Sequence, residues 1–279
     1  MDLDPELAAL RPPGPFFALR TDPYGDPAGL PTLAAAYAPD GPDDPLTARV
    51  RLVAHRLRTP EPRVAASLAQ QGLAARLWSV ALGCAVLYGR LPELRPSLLR
   101  WDIEAAAPDD LWLTEVRPGP GDATTATATA TATALADAVL HGHLEPLGET
   151  LRAHYGIASG LLWGNAGSAL AGAARELERW ARANGCPDTA ARTRALAGEL
   201  FAHPLLRTTG TRTDTTTGTA FRRRSCCLYY RVPGGGVCGD CCFSRPPAAP
   251  GASTAVPDKG DGATGRSAVR GERDRGALF

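Results

Sequence analysis

Five of the seven cysteines of this chain fall between Cys226 and Cys242, in the stretch SCCLYYRVPGGGVCGDCCF (225–243). Thiols packed this densely form a constellation with its own chemistry, and the fold must close around it. The spacing is C-C-x10-C-x2-C through Cys226, Cys227, Cys238 and Cys241, with Cys242 as an extra neighbour. A C-x2-C pair bends the backbone so that both thiolates reach one site. Gly239 lies inside that pair, and Gly234, Gly235 and Gly236 stand just upstream. The intervening segment is long enough to return the second pair beside the first. Spacing alone leaves three chemistries open. Structural zinc takes four thiolates, but adjacent Cys226 and Cys227 make a poor zinc knuckle. Two sulfide-bridged irons also take four thiolates and tolerate more varied spacing. A disulfide network needs an oxidising compartment.

The rest of the sequence argues for a reduced state. The N-terminus, MDLDPELAALRPPGP, is acidic where a signal peptide is basic, and no apolar segment follows it. The longest apolar run, LWSVALGCAVLYG (77–89), is too short to span a bilayer and reads as a buried helix. The expected location is therefore the cytoplasm, with no transmembrane segment, where clustered cysteines bind metal more often than they pair. A net charge of +1 argues against nucleic acid as a partner. Lys259 is the only lysine, so arginine at any one position reflects composition before function.

Periodicity predicts a mainly α fold with a small β component. Short helices are expected at 3–10 and 46–58. Leu68, Leu73, Leu77, Val80, Leu82 and Leu87, with alanines between them, mark a long helix from Pro62 to Tyr88. Two apolar runs around a Pro-Asp-Asp turn in 99–118 predict a β-hairpin. The Ala/Thr alternation at 121–134 is low-complexity and reads as a surface loop. Further helices are expected over 135–155, interrupted near Pro146, and over about 163–182, where Ala166, Gly167, Ala169 and Gly172 invite close packing. Asp188 is the expected N-cap of a last helix ending near His203. The threonine-rich segment 207–220 reads as a linker or an irregular extended stretch, and 244–279 lacks the apolar content to fold. The expected organisation is a helical domain over 1–206, a linker and cysteine-rich module over 207–243, and a disordered tail over 244–279.

RRRSCCLYYRVPGGGVCGDCC closely resembles the C-terminal signature of the ferric-siderophore reductase family of the FhuF type. LLWGNAGSALAGA (161–173) is similar to a Trp-Gly-Asn block in that family, and RVAASLAQQGLAARLWSVALG (63–83) to its early helix, so the resemblance covers about 50 to 243. It implies a [2Fe-2S] cluster held by Cys226, Cys227, Cys238 and Cys241. Cys242 departs from the pattern and leaves the fourth position open between itself and Cys241; the two-residue gap after Cys238 favours Cys241.

The implied activity is one-electron reduction of a ferric siderophore to release Fe(II). Hard anionic oxygens hold Fe(III) far better than Fe(II), so one electron loosens the complex, and no general base or nucleophile is required. No G-x-G-x-x-G motif follows a strand, so an external donor is expected, ferredoxin-like or flavin-dependent. Arg222, Arg223, Arg224 and Arg231 beside the cysteines are candidates for docking an anionic siderophore or an acidic donor. The alternative is a non-enzymatic metal- or siderophore-binding protein whose cysteines hold structural zinc. Among the remaining residues, Asn165 reads as a helix cap with Trp163 as its staple, His141 and His143 as surface or capping residues, Cys84 as a buried small hydrophobe, and Cys186 as a loop thiol.

Overall fold

The longest helix of the sequence becomes the axis of the structure. In the computed structural model, which describes residues 7, 10–21, 29–38, 41, 44–122, 127–215 and 218–247, α1 spans Leu33–Tyr37, α2 Pro45–Leu57 and α3 Pro62–Leu87. Almost every side chain of α3 from Val64 to Val86 is buried, as expected for a helix apolar on all sides. Its main neighbour is α6, Ser159–Ala183, and α7, Pro187–Ala202, packs on α6 and also reaches α3, where Arg192 donates to the Val86 carbonyl. Buried alanines recur along α3 at Ala65, Ala66, Ala69, Ala74, Ala81 and Ala85, and α6 is equally rich in small buried residues, Ala166, Ala169, Ala173 and Ala174. Small side chains let the two backbones approach, while Leu73, Leu77, Trp78 and Leu170 fill the core around them. Cys84 is part of this core.

Among the described residues, three two-stranded antiparallel sheets complete the fold. Strand β1 (Arg90–Pro92) pairs with β4 (Pro118–Asp122), and β2 (Leu99–Trp101) pairs with β3 (Leu111–Leu113) in the register Leu99 to Leu113 and Trp101 to Leu111. The second pair is the hairpin expected at 99–118. A buried ion pair pins it to the helices: Arg76 Nε lies 2.7 Å from Asp110 Oδ1, and the guanidinium also donates to the carbonyls of Phe16 and Ala18.

Several local expectations are corrected. The Ala/Thr repeat is no surface loop where it is described: Ala128–Ala136 forms α4, capped by Thr127 Oγ1 on the Ala130 N–H. Alanine is the strongest helix former, and Thr131 and Thr133 return their hydroxyls to carbonyls four residues back, so the threonines do not break the helix. Its Ala132, Leu135 and Ala136 are buried, and α4 packs on α7. A π-helical stretch, Asp137–Leu144, follows, then α5, Glu145–Tyr155, with Pro146 in its first turn, where no N–H is needed. Helix α6 begins at Ser159, so Asn165 lies inside it and caps nothing. Asp188 falls in the first turn of α7, whose N-cap is Cys186. Where it is described, the threonine-rich segment pairs: β5 (Gly210–Thr215) and β6 (Gly218–Arg223) form an antiparallel ladder, and β6 packs on α6. Gly167 makes this contact possible, since a Cβ there would stand 2.6 Å from Thr209 Oγ1; Gly172 meets no comparable neighbour. The helix expected at 3–10 falls largely outside the described residues, as do 248–279 of the expected tail.

The two histidines of the H-x-H pair point apart. His141 is exposed and bonds Glu145, whereas His143 is fully buried. His143 Nε2 lies 2.5 Å from the Leu94 carbonyl, which only accepts, so this nitrogen carries the proton and Nδ1 accepts from the Tyr37 hydroxyl at 2.8 Å. Burial lowers its pKa from 6.5 to about 4, the Leu94 bond opposing in part. Between those values the unfolded chain binds a proton that the folded chain refuses. This site's contribution is therefore complete above pH 6.5 and is lost as pH falls toward about 4, a loss on the order of 3 kcal/mol. Urea unfolding of wild type and His143→Gln at pH 7 and pH 4 tests this. The wild type should lose about 3 kcal/mol more than the variant on acidification; equal losses would refute it.

Candidate metal centre

Strand β6 delivers the chain to the cysteines. The Arg223 N–H donates to the Asp240 carbonyl at 2.9 Å, which lays the start of the module against its end. After Cys226 and Cys227 the backbone turns through Leu228, in the left-handed region at φ 69°, into a 3-10 turn over Tyr229–Arg231. The following turn requires glycine at Gly235, where a Cβ would sit 2.3 Å from the Tyr229 carbonyl oxygen and 2.8 Å from that of Val232. The C-x2-C turn is closed by the Cys241 N–H on the Cys238 carbonyl at 3.1 Å.

This path brings the two ends of the motif together. Cys227 Sγ and Cys238 Sγ share a hydrogen bond at 3.7 Å. Cys227 is buried, while Cys226, Cys238, Cys241 and Cys242 are partly exposed. Backbone N–H groups already point at sulfur: Leu228 donates to Cys226 Sγ at 3.2 Å and Phe243 to Cys241 Sγ at 3.4 Å. The bond with Cys238 holds the Cys227 thiol below its ordinary value, against its burial, and the same bond pushes Cys238 upward. Burial raises Cys226 and Cys242, to which nearby thiols add. Arg223 lowers all four of these groups. Cys227 and Cys238 are in sulfur contact, and among the described residues no three ligand-type side chains close around a single point.

The module rests on the helices through one apolar patch and a polar network. Cys227 and Val232 pack with Val64 and Leu68 of α3, with Val53, Leu57 and Tyr229 at the margin. Tyr230 instead meets Phe243 edge-on. Ser67 Oγ donates to the Cys227 carbonyl at 2.9 Å, and Asn165 Nδ2 donates to the Ser67 carbonyl at 2.9 Å. Asn165 Oδ1 accepts from Arg223 Nη2 at 2.5 Å. On the other side Asp240 accepts from Ser168 Oγ at 2.7 Å and from both terminal nitrogens of Arg175. Arg231 Nε is 2.7 Å from Glu61 Oε1.

Sequence reasoning named the cysteines and the Trp-Gly-Asn block but gave Asn165 the wrong place, and it missed Ser67, Ser168, Arg175 and Asp240. Only the charged Asp240 inside C-G-D-C offered a signal. The four arginines beside the cysteines part company. Arg222 and Arg224 are exposed, Arg231 is paired with Glu61, and Arg223 is 2% exposed and turned inward. A buried Arg223 cannot offer a surface for docking.

The donor set suits a thiolate-ligated centre. Soft thiols gather in one short module with Cys227 and Cys238 in contact, backbone N–H groups aim at Cys226 and Cys241, and the inward cation Arg223 has Nε and Nη1 without a hydrogen-bond partner among the described residues. Taken together, the fold and site define a helical protein carrying a small cysteine-rich module. Comparison with protein families gives the rest. Residues 223–243 match the FhuF 2Fe-2S C-terminal domain, and residues 70–215 match the ferric iron reductase FhuF-like transporter model, which covers more than half of the chain. The chain belongs to the FhuF-like ferric iron reductase family. The [2Fe-2S] centre is the cofactor of its C-terminal domain, and zinc, left open by the spacing, gives way to it. No individual curated protein matches the chain. Among the described residues no helix is long and apolar enough to cross a membrane.

Proposed function

We propose that this protein is a cytoplasmic ferric-siderophore reductase, with Cys226, Cys227, Cys238 and Cys241 as the cluster ligands. The observation that carries the reading is the contact of Cys227 with Cys238 in a module whose remaining thiols reach the surface. When bound there, an all-cysteine [2Fe-2S] centre supplies one electron at a time at low potential. One electron from an external ferredoxin-like or flavin-dependent donor converts Fe(III) in the chelate to Fe(II), and the hard oxygen ligands then release it.

The chain's own residues set the conditions. Cys227 sits on the apolar patch of Val64, Leu68 and Val232, which keeps water from that side of the site. Partly exposed Cys238 and Cys241, flanked by exposed Val237 and Phe243, leave the opposite side open to a chelate or donor. Arg222 and Arg224 give that face positive charge suited to an anionic chelate or an acidic donor. A pocket lined by Arg49, Arg56, Leu57, Leu68 and Trp101 lies next to the patch. The chelate is read as docking on the exposed face of the cysteine module.

The test is anaerobic purification, with visible spectra before and after dithionite and with iron and sulfide assays, followed by reduction of ferric hydroxamate and catecholate chelates. Visible bands that bleach, with iron and sulfide in equal amounts, and Fe(II) captured by a ferrous chelator are expected. A colourless protein with zinc and no sulfide would overturn the reading.

A further inference from the structure

Among the described residues, the site holds a buried cation without a counter-anion. Arg223 is 2% exposed, and its one side-chain hydrogen bond runs from Nη2 to the neutral Asn165 amide. Nε and Nη1 have no partner among the described residues, and neither does the buried Ser225 Oγ. Both side chains press into one hollow on α6: a Cβ on Gly164 would stand 2.0 Å from Ser225 Oγ and 3.2 Å from Arg223 Nη2. An uncompensated buried charge costs several kcal/mol, and unmet N–H donors add to that cost. Three other buried charges have ion-pair partners. Arg76 has Asp110, Glu178 has Arg182 and Arg194, and Asp240 has Arg175.

We infer that Arg223 is a positioning residue for the cluster's charge: its guanidinium, braced by Asn165, faces the cysteine module as the internal counter-ion and sets the reduction potential. This rests on the reading that these cysteines hold the cluster. A thiolate-ligated [2Fe-2S] centre is anionic, and reduction adds one more negative charge. A fixed cation nearby stabilises the reduced form more than the oxidised form and so raises the potential. The surroundings fit that task. Arg223 begins the module, its own N–H holds Asp240 between Cys238 and Cys241, and Asn165 is linked through Ser67 to the Cys227 carbonyl. Any shift of the guanidinium is thus coupled to both halves of the ligand set.

The experiment is a dye-mediated redox titration of full-length protein, followed in the visible, for wild type, Arg223→Gln, Arg223→Lys and Asn165→Asp. Arg223→Gln removes the charge. Asn165→Asp keeps the arginine and places a carboxylate against it. Each should favour the oxidised form at least tenfold at fixed ambient potential, a shift of about 59 mV for a one-electron couple. Arg223→Lys, which keeps the charge, should move the ratio less than about threefold, roughly half a tenfold step on the same scale. If Arg223→Gln fails to hold a cluster, Asn165→Asp alone decides. An unmoved potential in the charge-altering variants, or equal shifts for Arg223→Lys and Arg223→Gln, overturns the inference while the cluster in wild type still stands. Wild type without any iron–sulfur spectrum overturns both the inference and the reading beneath it.

Discussion

Cys238→Ser is expected to yield a colourless protein with no measurable ferric-siderophore reduction and an unchanged far-UV helix signal. Cys238 is in sulfur contact with Cys227, the buried member fixed from below by Ser67. A serine oxygen is harder and far less acidic than a thiol, so it supplies no comparable ligand to iron. The helical core does not depend on this side chain, because Leu73, Leu77, Leu135 and Leu170 belong to a separate packed cluster from Cys227 and Val232. The same assay settles the fourth ligand. Spacing and the Phe243 N–H on its sulfur favour Cys241, although the Cys226 thiol feels Cys242 more strongly than Cys241. Cys241→Ser should bleach the protein and Cys242→Ser should keep its colour. The opposite pattern would transfer the role, and persistence of reduction in Cys238→Ser would remove the cysteines from the electron path.

What the sequence disclosed follows from the range of the interactions concerned. Helix α3 was legible because an apolar, alanine-rich run carries its own period, and the cysteine motif was legible because metal ligation fixes spacing within one short segment. The Ala/Thr repeat misled because alternation imitates a strand or a slack loop, whereas α4 is decided by alanine propensity and by a neighbour, α7, more than fifty residues away in sequence. Asn165 misled for a related reason. Its amide looks like a cap, yet its partners are Ser67 and Arg223, at sequence separations of 98 and 58. The inward turn of Arg223 was equally hidden. In a run of three arginines a strand alternates them, so Arg222 and Arg224 face out while Arg223 faces in, and that period is visible only once residues 218–223 are known to be a strand.

The largest stability loss from a single change away from the module is expected at Asp110. Asp110→Ala should lower the unfolding free energy by about 3–5 kcal/mol, because it strands the Arg76 guanidinium in the core without its carboxylate. Arg76 is 1% exposed and would keep only the carbonyls of Phe16 and Ala18 and a longer contact with Pro15. Carbonyl dipoles satisfy its N–H groups but do not neutralise its charge. Replacing the pair together, Arg76→Met with Asp110→Leu, should recover most of that loss, since apolar side chains of similar volume remove the desolvation cost along with the attraction. Urea unfolding of the three variants measures this, and a loss below about 1 kcal/mol for Asp110→Ala would mean that the carbonyls suffice. The consequence reaches the metal centre through α3. Arg76 stands two turns beyond Leu68, part of the patch under Cys227, and both line the pocket beside the module. In Asp110→Ala the visible bands should therefore be lost at lower urea than in wild type, together with the helix signal, because the floor of the cysteine site is the same helix that the ion pair holds in place.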